Sequence, residues 1–212
     1  MNSRLKKLVF VIATLAIIIL VTDYVWLQRS PTNLGHSSPK DIAQLMQRWH
    51  AGEVVVLVRH AERCDRSSNP CLGPADGITR AGSEAATALG RGFEQMGMEQ
   101  TDVLSSPITR TAQTSRYMFG HDAVAQEWLA KCGHGLRNEV LAHKQAHRNL
   151  LLVTHSGCIK DFEVETGFRY AQKSQYASSL FVSIDATGEL QVLGIVNTDG
   201  WPTLLNSESK IK

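Results

Sequence analysis

Two stretches of this chain, EVVVLV at 53–58 and LLLVT at 150–154, are apolar runs rich in β-branched or leucine side chains, with no internal polar alternation. A strand with one wet face alternates apolar and polar residues, whereas a strand covered on both faces stays apolar throughout. Both runs therefore read as central strands of a sheet packed on each side. Helical periods surround them. Thr79 caps a helix reaching about Met96, with Ala85, Leu89, Phe93 and Met96 along one stripe. Asp102 to Ser105 is a short strand. Ser106 then reads as a cap with Pro107 at the first helical position, opening a helix to about Phe119. Ala123 to Trp128 reads as a further strand, Leu136 to Ala146 and Gly157 to Thr166 as helices. Ser179 to Asp185 and Leu190 to Val196 close the chain as strands joined by a turn at 186–189. Strands alternating with helices imply an α/β, three-layer sandwich with a mainly parallel central sheet flanked by helices.

The N-terminus differs in kind. Arg4, Lys6 and Lys7 precede an unbroken apolar run from Leu8 to Val21, which Tyr24, Val25, Trp26 and Leu27 extend past Asp23. Basic residues before such a run stay on the cytoplasmic side, and Trp26 and Tyr24 suit the far interface. No A-x-A site follows, which favours an uncleaved membrane anchor over a removed signal peptide for residues 1–27. Residues 28–37 are polar and read as a linker. A helix starts with Ser38 as cap, Pro39 and Asp41 in the first turn, and Ile42, Leu45, Met46 and Trp49 on one face. The folded domain is thus expected at 38–212, exported and tethered to the inner membrane.

Charge narrows the partners. Outside the N-terminal segment the chain carries 19 of its 22 basic and 19 of its 20 acidic side chains. A balanced body has no general electrostatic footprint for nucleic acid. The four cysteines, Cys64, Cys71, Cys132 and Cys158, form an even set in an exported domain, where disulfides are permitted. Spacing allows three connectivities; the small loop favours Cys64–Cys71, leaving Cys132–Cys158. A zinc site would need close ligand pairs such as C-x-x-C, and the sequence has none.

Three distant segments fall at equivalent positions. Arg59-His60 ends the first apolar strand, Arg110 lies in the first turn of the helix after the second strand, and His155 ends LLLVT before another helix. Ligands of open α/β sheets bind beyond the carboxyl ends of the strands. Two arginines and two histidines there make a local cationic pocket fit for phosphate. Arginine offers a planar fork to two phosphate oxygens and stabilises a transferring phosphoryl group. An imidazole with a bare nitrogen can attack phosphorus, and neighbouring guanidinium groups keep it neutral. The arginines supply the positive charge that a metal would otherwise bring, so no cofactor is expected. His36, His50, His121, His134, His143 and His147 read as surface or structural residues.

These segments carry a family resemblance. VVVLVRHAER resembles the strand-and-RHG signature of the histidine phosphatase superfamily, and ITRAG with Ala86, Leu89 and Gly90 is similar to its L-T-x-x-G helix. LSSPITRTAQTS resembles its S-S-P-x-x-R-T segment, and LLLVTHSGCI its V-x-H-G-G-x-I segment. The match runs in order from about residue 53 to 166. It implies a phosphorylated nucleophile at His60, with Arg59, Arg110 and His155 completing the phosphate pocket. Arg63 falls where some acid phosphatases of the superfamily carry another phosphate-binding arginine. RHAERCDRSSNPCL, KCG at 131–133 and Cys158 further resemble the envelope phosphatases that act on heptose phosphate of the lipopolysaccharide core. That resemblance implies a periplasmic enzyme acting on phosphorylated lipopolysaccharide core.

The sequence also departs from the pattern. Ala61 replaces a glycine after His60, and Ser156 a glycine after His155. Lys131 stands where many relatives place the acidic proton donor. Glu62 is a candidate replacement donor, Asp65 a weaker alternative and Glu127, placed within a strand, a poorer one, so the sequence leaves the acid unassigned. Another envelope phosphatase acting on a small phosphate ester or phosphohistidine, and a phosphate-binding module without turnover, remain open.

Overall fold

A computed structural model describes residues 3–27, 29–133, 135–185 and 187–208. Among them lie seven α-helices and six strands. Helix α1 (Ser3–Leu27) presents exposed apolar side chains between Val9 and Tyr24. Among the described residues no helix is long and apolar enough to cross a membrane.

Helix α2 (Pro39–His50) begins in a capping box: the Ser38 hydroxyl accepts from the Asp41 amide and the Asp41 carboxylate accepts from the Ser38 amide. Its buried face is Ile42, Leu45, Met46 and Trp49, and the Trp49 indole donates to the carbonyls of Met96 and Gly97. Strand β1 (Val54–Arg59) and strand β4 (Asn149–Thr154) are buried at every position. Between them run α3 (Arg80–Met96), β2 (Thr101–Ser105), α4 (Thr109–Phe119), β3 (Val124–Ala125) and α5 (Leu136–His143). After β4 come α6 (Ser156–Glu165), β5 (Ser179–Ile184), β6 (Leu190–Val196) and α7 (Trp201–Glu208).

The strands form one sheet in the order β3-β2-β4-β1-β5-β6. Pairings among β3, β2, β4 and β1 are parallel; β5 runs antiparallel to both β1 and β6, so it alone is reversed. Successive residues of the buried strands point into different cores. Val54, Val56, Val58, Leu151 and Val153 meet α2, α3 and α7, whereas Val55, Leu57, Leu150 and Leu152 meet α5 and α6. Two cores back to back explain why these runs lack alternation. Helix α3 lies close on α4 because position 90 is glycine: a Cβ there would stand 1.9 Å from the Met118 carbonyl oxygen.

Several local expectations need correction. Helix α4 starts at Thr109 with Ile108 in the cap position rather than at Pro107, although the Ser106 hydroxyl accepts from the Ile108 amide at 3.4 Å as well as meeting His155. The strand expected over 123–128 pairs only at Val124–Ala125, then becomes a 3-10 turn at Glu127–Leu129. Glu127 is exposed at the start of that turn rather than held in a strand. In α3, Ala86 takes the buried position expected of Ala85. Part of the segment read as linker is built into the domain: the Ile195 amide donates to the Thr32 carbonyl at 2.8 Å, and Leu34 is buried beside α7. Residues 28, 134, 186 and 209–212 lie outside the described residues, so His134, the residue at the head of the expected 186–189 turn and the domain's last four residues do too.

Candidate active site

The carboxyl ends of β1, β2 and β4 converge through backbone hydrogen bonds. The His60 amide donates to the Thr154 carbonyl and the Ser106 amide to the Val153 carbonyl, each at 3.0 Å. Parallel register thus brings His60, Ser106 and His155 to one edge. Helix α4 supplies Arg110 in its first turn. The Ala61 amide donates to the Thr114 hydroxyl at 3.0 Å, so the alanine that replaces glycine is buried and bonded rather than displaced.

The geometry assigns the protons of both imidazoles. His60 Nδ1 lies 2.8 Å from the Ala61 carbonyl, which can only accept, so the ring proton sits on Nδ1. Arg110 Nε lies 3.3 Å from His60 Nε2 and can only donate, so Nε2 keeps its lone pair. His60 is 3% exposed, and burial first, then the charges of His155, Arg110 and Arg59, press its pKa down to about 3 against the Ala61 hydrogen bond. His155 is also neutral: burial, Arg110 and Arg63 lower it to about 4. The two rings stand 5.4 Å apart between centroids.

The guanidinium groups enclose this pair. Arg110 Nη2 lies 3.3 Å from His155 Nδ1, so one arginine touches both rings. Arg59 is 7% exposed, donates from Nη1 to the Ser174 carbonyl at 2.5 Å and lies 3.8 Å from the centre of the Tyr176 ring. Its Nε is buried without a partner among the described residues. Burial lowers the pKa of Arg59 and of Arg110 from the ordinary arginine value. Arg63 is held by Asp65 through two hydrogen bonds, and its charge reaches Arg59, Arg110 and His155.

Neither expected proton donor is held as an acid. Glu62 accepts from the Thr79 hydroxyl at 2.7 Å and from Asn69 Nδ2 at 2.9 Å, and these bonds lower its pKa. Asp65 is lowered by Arg63 and is exposed. Lys131 is exposed. Sequence reasoning missed Tyr176, which sits in an irregular segment with no periodic signal, and read Ser106 as a helix cap although its hydroxyl lies 3.0 Å from His155 Nε2. The structure pairs Cys64 with Cys71 and Cys132 with Cys158. Among the described residues no group of three or more His, Cys, Asp or Glu side chains is placed to hold a metal ion.

Comparison with curated proteins places this arrangement. The chain is 34% identical over 157 residues, 73% of its length and 75% of the relative's, to the lipopolysaccharide core heptose(II)-phosphate phosphatase of Escherichia coli K12. It is 34% identical over 143 residues, 66% of its length and 68% of the relative's, to the protein of the same name from Salmonella typhi. This chain belongs to that heptose(II)-phosphate phosphatase family. No protein-family model matches it. Solved structures agree on the fold. A phosphoserine phosphatase of Entamoeba histolytica aligns with a TM-score of 0.57 at 13% identity, covering 70% of this chain and 98% of that one. A phosphoglycerate mutase of Bacillus anthracis aligns at 0.52 with 16% identity, covering 75% and 99%. The family therefore sits on the histidine phosphatase fold.

Proposed function

We propose that this protein is a periplasmic phosphomonoesterase that removes phosphate from a heptose of the lipopolysaccharide core through a phosphohistidine at His60. The observation that carries this reading is the bare Nε2 of a buried, neutral His60 facing Arg110. A phosphate dianion entering the pocket replaces the Arg110–histidine contacts with charge-assisted bonds, and the unpartnered Arg59 Nε supplies a further donor. His60 Nε2 then attacks phosphorus in line and the P–O ester bond breaks, while Nδ1 stays bonded to the Ala61 carbonyl. The leaving oxygen takes a proton from a solvent water and departs as the free sugar hydroxyl. Water attacks the phosphohistidine, the P–N bond breaks, and inorganic phosphate leaves. Arg59, Arg110 and Arg63 spread the negative charge of both transition states.

The substrate is inferred from the two relatives named for it. Both disulfides fit an oxidising compartment. The exposed apolar side chains of α1, behind Arg4 and Lys7, support an inner-membrane anchor at residues 8–27. The test is phosphate release by the full chain in detergent, with chelator, from phenyl phosphate and from phosphorylated lipopolysaccharide core. Chelator-resistant release that His60→Ala abolishes is the expected result. Release that persists without His60 overturns the mechanism, and no release from either substrate leaves a phosphate-binding module as the better account.

A further inference from the structure

Beside the phosphate pocket lies a cavity of about 670 Å3, bounded by Arg59 and Glu62, the first turns of α3 and the loop 173–177. That volume falls within the roughly 300–1,000 Å3 usual for small-ligand pockets. Its lining combines small residues, Ala81, Gly82 and Ala85, with hydrogen-bonding ones, Glu62, Asn69, Lys173 and Gln175. Tyr176 forms a wall between the cavity and the nucleophile: its ring covers the Arg59 guanidinium and stands 5.7 Å from His60 between centroids. The wall is fixed in place. Arg59 binds the Ser174 carbonyl, the Arg59 amide donates to the Ser178 carbonyl, and Ala177 adopts a φ of 55°.

We propose that this cavity seats the leaving group as a carbohydrate subsite, with Glu62 accepting sugar hydroxyls, Asn69 and Gln175 exchanging hydrogen bonds with them, and Tyr176 covering the ring. The inference rests on the phosphatase reading above and names what lies beyond the scissile oxygen. Glu62 suits the role because Thr79 and Asn69 both bind its Oε2 and hold the carboxylate in one orientation at the helix cap. An ionised carboxylate only accepts, which matches hydroxyl donors. Exposed amides that both donate and accept match the remaining hydroxyls, whereas an aryl or alkyl leaving group offers them no hydrogen bond to replace water. The same carboxylate is a poor acid, so its place beside the site is explained by recognition rather than by proton donation.

The experiment compares a heptoside monophosphate with phenyl phosphate in the full chain, wild type against Glu62→Gln and Asn69→Ala, and titrates the free heptoside into each. The expected result is a rise of at least tenfold in KM for the heptoside phosphate in Glu62→Gln. The heptoside-to-phenyl ratio of kcat/KM should fall by a similar factor, and free heptoside binding should weaken in parallel. An unchanged ratio overturns the subsite. So does a fall confined to kcat for the heptoside with loss of the basic limb of its pH profile, because that is the signature of Glu62 as proton donor. If wild type hydrolyses neither substrate, the phosphatase reading fails on its own. Free heptoside binding that depends on Glu62 then still upholds the subsite, and its absence overturns it.

Discussion

His155 reaches the Ser106 hydroxyl through Nε2 at 3.0 Å while its Nδ1 faces Arg110 at 3.3 Å. Arginine only donates, so without substrate Nδ1 accepts and the ring proton points to Ser106. A bound phosphate oxygen reverses the demand, because Nδ1 must then donate. The Ser106 hydroxyl can turn and donate to Nε2, which lets the ring change tautomer without taking a charge that burial and Arg110 oppose. Ser106→Ala should therefore lower kcat for phenyl phosphate by about tenfold, equivalent to one hydrogen bond of ~1.4 kcal/mol. Nitrogen-15 NMR should find the phosphate-bound tautomer of His155 weakened. A variant that loses stability but keeps kcat and the tautomer would show that Ser106 only packs.

His60 and His155 titrate far below the ordinary histidine value, at about 3 and about 4. After allowance for substrate ionisation near pH 6, the acidic limb of kcat/KM should lie near pH 4 or below rather than near 6.5. A limb at 6.5 would mean that the nucleophile is not desolvated as described. Stability follows by linkage. Between about pH 4 and 6.5 the unfolded chain binds more protons at these two positions than the folded one, so stability should fall as pH drops through that window. Urea unfolding from pH 7 to 4.5 should show the decline, and His60→Asn should reduce its slope.

Glu163 on α6 works in the opposite sense. It is 1% exposed, its Oε2 has no partner among the described residues, and burial raises its pKa to about 7 against the pull of Lys160. The folded state therefore holds a proton that the unfolded state releases near 4.5, and stability is lost as pH rises through about 7. Glu163→Gln should stabilise the protein by about 1–3 kcal/mol above pH 8 and give no gain below pH 4.5. Thermal melts at the two pH values check this; an equal effect at both would refute a buried, titrating carboxyl.

The candidate site was legible in the sequence because each candidate residue lies next to a doubly buried strand or in the first turn of a helix, where side-chain type and position are tightly constrained. The runs at 53–58 and 150–154 announced both strands through their lack of alternation, and Arg59, His60 and His155 came with them. Arg110 followed from its motif, but the start of its helix did not. Ser106 was read as a cap because Ser-Pro chemistry favours one; its hydroxyl does accept from the Ile108 amide, but the second contact, to His155, had no signal in the sequence. Val124–Ala125 pairs for only two residues because the chain must turn to place Leu129 under β4, where the Leu129 carbonyl accepts from Thr154. Leu34 was hidden in a polar stretch whose neighbours gave no period. Tyr176 was illegible for a related reason: it is positioned by backbone bonds to the end of β1 rather than by a helix or strand of its own.

The Cys132–Cys158 bridge, with its Cα atoms 4.4 Å apart, ties the irregular loop after Leu129 to the first turn of α6, three residues beyond His155. Cys132 is exposed, and at the far end of the loop the Glu165 carboxylate binds the amides of Gly135 and Arg137. Closing 26 residues of separation should contribute about 2–4 kcal/mol by restricting the unfolded chain. The double variant Cys132→Ser/Cys158→Ser should lose that much in urea unfolding. It should also raise KM for phosphate esters severalfold, because His155 immediately precedes α6 and moves with its first turn. Cys64→Ser/Cys71→Ser, which opens a loop of only 7 residues' separation, should lose less stability. Equal losses in the two variants, or free thiols at Cys132 and Cys158 in peptides mapped without reductant, would contradict the assignment.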